Sequence, residues 1–100
     1  MDTVDACKIV RAHVGGNVGR LCHDKGLSQT TFANMVGIDR SHLNRLIRGR
    51  NNVTLDVLVK IADGLNVPLT DLFFGLDDAP PRCLVEYDAQ DGTAGDPGKK

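Results

Sequence analysis

Between Arg40 and Arg50 the chain carries four arginines, Arg40, Arg45, Arg48 and Arg50, and no acidic residue. A guanidinium is a planar fork of hydrogen-bond donors that fits two phosphate oxygens, or O6 and N7 of a guanine, at once. Asn44 lies among the arginines and can bind N6 and N7 of an adenine, while Ser41 can bond to any base edge. A good bidentate pair is worth about 1–3 kcal/mol of discrimination between bases. The chemistry on offer is recognition of nucleic acid by hydrogen bonding.

Such residues act together only on a rigid element. Asp39 is placed to cap a helix in which Leu43, Leu46 and Ile47 face inward. At about 100° per residue, the side opposite Leu43 presents Ser41 and Arg45, flanked by Asn44, Arg48 and His42. Arg40 falls in the first turn. A major groove admits one such helix, with its N-terminal residues at the base edges.

The preceding segment supports that helix. Ser28 is placed to cap a helix with Phe32, Ala33 and Val36 on its inner face. Ala33 is small enough for two helix backbones to approach closely. Gly37 supplies the turn, and Ile38 plugs the core from within it. The pair forms a helix-turn-helix pattern.

Further helices flank the pair. Val4, Cys7, Val10, Val14, Val18 and Leu21 make a helical stripe up to about Lys25, with Gly26 placed to cap its end. Gly15, Gly16 and Gly19 interrupt the stripe, so the helix either bends there or uses the glycines for close packing. Thr54 begins a fourth helix with Leu55, Leu58, Ile61, Ala62 and Leu65 inward. "PLTDLFFG" reads as a short fifth helix that turns Leu69, Leu72 and Phe73 inward.

The composition changes after Gly75. Residues 1–75 hold nine Lys/Arg against seven Asp/Glu, whereas 76–100 hold three against six, so the acidity of the chain belongs to its end. Pro80 and Pro81 mark a linker, "RCLVEY" at 82–87 is expected to form a short strand, and the remainder is expected to be a disordered acidic tail. The reading is one all-α helix-turn-helix domain over 1–75, with an N-terminal extension at 1–13, and a linker-and-tail region over 76–100.

Several function classes are disfavoured. No apolar run approaches the roughly 20 residues of a membrane span, and the start lacks a signal-peptide core, so a cytoplasmic location is expected. Cys7, Cys22 and Cys83 are odd in number and widely spaced, unlike a disulfide framework. Cys22 and His23 find no further ligand at metal-binding spacing, so no metal or other cofactor is expected, and Cys7 and Cys22 are read as small core residues. No nucleophile–base arrangement, phosphate loop or paired carboxylates point to an enzyme.

Residues 14–75 resemble the Cro and phage-repressor (XRE-type) helix-turn-helix domains. The matching features are "VG" at 14–15, "KGLSQ" at 25–29, Ala33, Gly37, Leu43, Leu46, "RG" at 48–49 and "TLDVLVKIADGLNVPLTDLF" at 54–73. The resemblance implies a compact five-helix, lambda-repressor-like fold that binds operator DNA as a homodimer. It assigns base contacts to Arg40, Ser41, Asn44 and Arg45. Gln29 matches a glutamine that contacts the phosphate backbone and braces the reading helix, and Arg50, Asn51 and Asn52 fall in a loop laid along phosphates, with Arg48 beside them. Gly19 and Cys22 depart from the pattern, standing where many members carry a long polar residue.

The expectation is therefore a sequence-specific regulator of transcription, a repressor dimer on a pseudo-palindromic site in double-stranded DNA. Phe74 and Leu76 exceed what the core needs and are candidates for the dimer contact, as is pairing of the 82–87 segment with its mate. An alternative from another class is an antitoxin-type module that neutralises a partner protein and also binds DNA.

Overall fold

The computed structural model describes residues 2–76. Within them the chain forms α1 (Thr3–Asp24), α2 (Gln29–Val36), α3 (Arg40–Ile47) and α4 (Leu55–Leu65), followed by a 3₁₀ segment, Leu69–Phe73. The linker, the strand expected at 82–87 and the acidic tail lie outside the described residues.

Local signals set most of the boundaries. Ser28 and Thr54 cap α2 and α4 by accepting from the backbone N–H groups of Thr31 and Val57, at 3.0 and 3.2 Å. Gly37 ends α2 at φ +75°, where a side chain would be disfavoured, and the N–H of Ile38 closes the end on the Ala33 carbonyl. The N–H of Leu27 bonds to Cys22 O at 2.9 Å in the same way and ends α1.

Two of the three glycines of α1, Gly15 and Gly19, serve close packing. α1 is a single helix of 22 residues, and a Cβ on Gly15 would lie 2.3 Å from Leu46 O and 2.6 Å from Ile47 O. The backbones of α1 and the end of α3 thus meet at Gly15. Gly19 lies against the Ile47 side chain, and Gly16 faces open space. α2 and α4 approach similarly at Gly64, where a Cβ would lie 2.4 Å from Val36 Cγ1 and 3.1 Å from Phe32 Cε1.

These approaches enclose one core. Val14, Val18 and Cys22 of α1 meet Phe32 and Ala33, Leu43 and Leu46, then Leu58, Ile61, Ala62 and Leu65 of α4, with Leu72 closing the end. Four residues of the expected apolar stripes lie elsewhere, the first being Val4, 61% exposed near the start of α1. Cys7 is exposed, because the contiguous core begins at Val14 with Val10 packed at its edge. Leu55 is 72% exposed at the first position of α4, where Val53 and Val57 pack instead. Leu69 is exposed after Pro68, and Val67 takes the inward place.

The expected fifth α-helix is present only as the 3₁₀ segment, and a side chain of α1 binds its end. Nδ2 of Asn17 donates to the carbonyls of Leu72 and Phe74, both at 2.9 Å. Both carbonyls lie at the end of the segment, where a helix has no partner of its own to offer them. Asn17 is itself buried and ties the C-terminal segment to α1. Asn17→Ala leaves both acceptors without this donor and should cost about 1–2 kcal/mol, the lower part of the usual range because water reaches the exposed Phe74. Urea denaturation of the variant reads this directly, and an unchanged midpoint would remove Asn17 from its tethering role.

Candidate nucleic-acid interface

α3 separates its two faces cleanly. Leu43 and Leu46 are buried, while Arg40, Ser41, Arg45 and Arg48 are exposed. None of Arg40, Arg45, Arg48 and Arg50 forms an ion pair among the described residues. Their charges are therefore not neutralised by any described carboxylate in direct contact.

The first turn of α3 holds a polar cluster. Asp39 occupies the N-cap position, and its carboxylate accepts from the Ser41 hydroxyl. That hydrogen bond is the main reason the Asp39 carboxyl sits below the usual carboxylate range, with Arg45 adding a smaller electrostatic pull. The hydroxyl proton of Ser41 is thereby committed, which leaves its lone pairs for an incoming donor.

Asn44 is half-buried between the two faces. Its Nδ2 donates to Oε1 of Gln29 at 3.0 Å, which joins the start of α2 to the middle of α3. The bond uses one of the two amide hydrogens and leaves Oδ1 available, so a bidentate adenine contact is still chemically open to Asn44. Gln29 keeps its own Nε2 donor.

The turn after α3 is pressed against α1. Gly49 has φ +71°, and a Cβ there would lie 3.1 Å from Ala12 Cα. Nη1 of Arg11 donates to Oδ1 of Asn52 at 3.2 Å, an interaction not anticipated from sequence. Asn52 is exposed with its amide donors directed to no described partner, whereas Oδ1 of Asn51 is buried. Gln29 and Asn44 are thus brought together, Arg48 and Arg50 are exposed in the turn that follows α3, and Asn51 is turned partly inward. Arg20, also unselected, lies over the Phe74 ring at 5.5 Å from its centroid and 3.7 Å from Asp24. Phe74 is 66% exposed.

The departures at Gly19 and Cys22 have a packing cause. Gly19 admits the Ile47 side chain, and Cys22 is buried in the core, where burial pushes its thiol pKa up. Neither position faces outward as a phosphate contact would require. Among the described residues no helix is long and apolar enough to cross a membrane, and no group of three His, Cys, Asp or Glu is placed to hold a metal ion.

Two short helices joined at a left-handed glycine, with the second presenting a basic polar face, define a helix-turn-helix domain. Residues 20–72 match the HTH_3 helix-turn-helix family model. The chain is 35% identical over 71 residues to an HTH-type transcriptional regulator, y4dJ, of Sinorhizobium fredii, covering 71% of this chain and 92% of that protein. It is 32% identical over 69 residues to the control protein C.MunI of Mycoplasma sp., covering 68% of this chain and 93% of that one. The crystal structure of the restriction-modification controller protein C.AhdI from Aeromonas hydrophila superposes with a TM-score of 0.62 at 36% identity, covering 63% of this chain and 96% of that one. The chain belongs to the HTH_3 (XRE, Cro/C1-type) family of DNA-binding transcriptional regulators.

Proposed function

We propose that the protein is a sequence-specific repressor that binds a pseudo-palindromic operator as a homodimer. The observation that carries this reading is the two-faced α3, with Leu43 and Leu46 anchored in the core and Arg40, Ser41 and Arg45 exposed. In this reading α3 enters the major groove, and Arg40, Ser41, Asn44 and Arg45 contact base edges. Gln29, Arg48, Arg50, Asn51 and Asn52 contact phosphates and fix the register without reading sequence. The inward turn of Asn51 leaves its amide nitrogen as the group for that contact.

Two copies would place two reading helices about one turn of DNA, 10–10.5 base pairs, apart. The exposed Phe74 and the neighbouring Leu76 are the surplus apolar surface assigned to the dimer contact. Repression needs no catalysis, because an occupied operator excludes the polymerase. The similarity to the control protein C.MunI and to the restriction-modification controller protein C.AhdI supports a regulatory role of this kind.

Selection of bound sequences from a random DNA pool tests the reading. The expected result is a symmetric site bound in a salt-sensitive manner by the protein alone. Failure to enrich any sequence, with a small basic protein co-purifying, would favour the antitoxin alternative. Within this scheme Arg50→Ala weakens all sequences alike. The slope of log K against log salt should become shallower by about 2, because one phosphate contact is lost in each half-site. A change in base preference instead would move Arg50 into the reading set.

A further inference from the structure

A groove of about 460 Å³ lies on the side of the domain formed by the first half of α1. Ala6, Val10 and Val14 of α1, with Val53, Leu58 and Phe73, give it an apolar lining. Its size falls in the range of small-ligand pockets, roughly 300–1,000 Å³. At about 30 Å³ for each water-sized group, it holds on the order of fifteen heavy atoms.

The polar part of the lining has one sign. Nη1 of Arg11 donates to Oδ1 of Asn52 at 3.2 Å, and this bond between two lining residues is exposed. Arg11 forms no ion pair among the described residues, and no Asp or Glu lines the groove. The bond engages the acceptor oxygen of the pair. What it leaves on offer is donors: the other Nη hydrogens of Arg11 and the two amide hydrogens of Asn52, beside a full positive charge. Nε of Arg11 and Oδ1 of Asn51 are buried and take no part.

This combination is selective. A sugar or a peptide would set polar groups without partners against the valines. A small anion alone would leave the apolar lining uncovered. A ligand with one anionic head and a continuous hydrocarbon chain meets both features, and a carboxylate matches the planar fork of a guanidinium. We propose that the groove binds a monocarboxylate with an apolar chain of roughly eight to twelve carbons, its head on Arg11 and Asn52 and its chain against Val10, Val53 and Leu58. Asn52 is also a phosphate contact in the operator reading. A bound carboxylate would occupy that amide and set negative charge beside the DNA backbone, so ligand and operator should oppose each other reciprocally. That consequence alone rests on the operator reading.

The first test contains no DNA. Octanoate is titrated into the full chain and followed by amide and methyl NMR, with 1-octanol and acetate as controls. The expected result is saturable shifts at Val10, Val53 and Leu58, with octanoate bound about tenfold more tightly than either control. Arg11→Gln keeps a donor for Asn52 but removes the charge, and should weaken octanoate about tenfold without changing 1-octanol. Cys7→Asp places a like charge at an exposed lining position and should also weaken octanoate. Unchanged α2 amide signals report that each variant is folded. Shifts that do not saturate, or that saturate at other residues, would overturn the site. Equal affinity for 1-octanol would remove the anionic head, and equal affinity for acetate would remove the chain; either overturns the ligand class. Signals at these residues that move with protein concentration alone would assign the groove to a second copy and overturn the proposal. Operator DNA should then weaken octanoate binding. If octanoate binds the free protein and the operator leaves its affinity unchanged, the opposition fails and the site stands.

Discussion

Gly15→Ala should destabilise the domain by about 3 kcal/mol, the upper part of the range for overpacking a core. The added methyl would stand 2.3 Å from one carbonyl oxygen of α3 and 2.6 Å from the next. Both are backbone atoms, so no rotamer change relieves the clash and α1 must move away from α3. Small domains hold only about 5–15 kcal/mol in total, so the loss is a large fraction of stability. Gly16→Ala is the matched control. Nothing lies within 4 Å of its Cβ position, and alanine should stabilise the helix by about 0.4–1 kcal/mol. Denaturant midpoints of the two variants should move in opposite directions. Equal shifts would mean that α1 and α3 do not approach as described. The same displacement loosens the end of α3, so operator affinity should fall for Gly15→Ala beyond what unfolding explains.

Arg45→Ala should weaken binding to the selected operator by about 1–3 kcal/mol per half-site, roughly five- to 150-fold for each, and relax the preference at one base pair in each half-site. Arg45 is exposed and outward on α3, and it forms no ion pair among the described residues that a base would have to displace. The distinction from Arg50→Ala lies in what is lost. A reading residue takes discrimination with it, whereas a phosphate contact takes affinity and salt dependence. Competition binding with every single-base variant of the operator measures both. Unchanged affinity and preference would rotate α3 away from the orientation proposed for it.

The elements that sequence reveals best are those set by neighbours along the chain. Ser28, Gly37 and Thr54 act within a few residues of themselves, and each ends or begins its helix where local chemistry places it. Heptad-like spacing likewise finds Leu43 and Leu46, because their burial follows from the pitch of one helix. Gly15 and Gly16 are different. They are adjacent and chemically identical, and only the arrival of α3, some thirty residues later, makes one indispensable and leaves the other open. The tether from α1 to the end of Leu69–Phe73 was hidden for a related reason, since Asn17 lies more than fifty residues before the carbonyls it binds. A signal for Asn17 did exist. It stands three residues after Val14 and four before Leu21, a polar side chain in line with an apolar stripe, and such a residue needs a buried partner.

Of the interface, the outward arginines follow from the helical period, while the Arg11–Asn52 bond depends on how the turn folds back on α1. The exposure of Cys7 and Leu55 shows the converse limit. A stripe continues along a helix whether or not another element reaches that far to cover it.

The bond between Asn44 and Gln29 has a polarity as well as a length. Because Nδ2 of Asn44 gives its hydrogen to Oε1 of Gln29, the orientations of the two amides are coupled. The carboxamide at the start of α2 must then present its nitrogen away from the bond, hydrogens outward, toward any anion that comes beside it. Its neighbour on α3 is left with an oxygen and one spare hydrogen at its outer edge. One 3.0 Å contact between two uncharged side chains thus orders a row of dipoles, so that the second helix offers donors where the third offers a mixed edge.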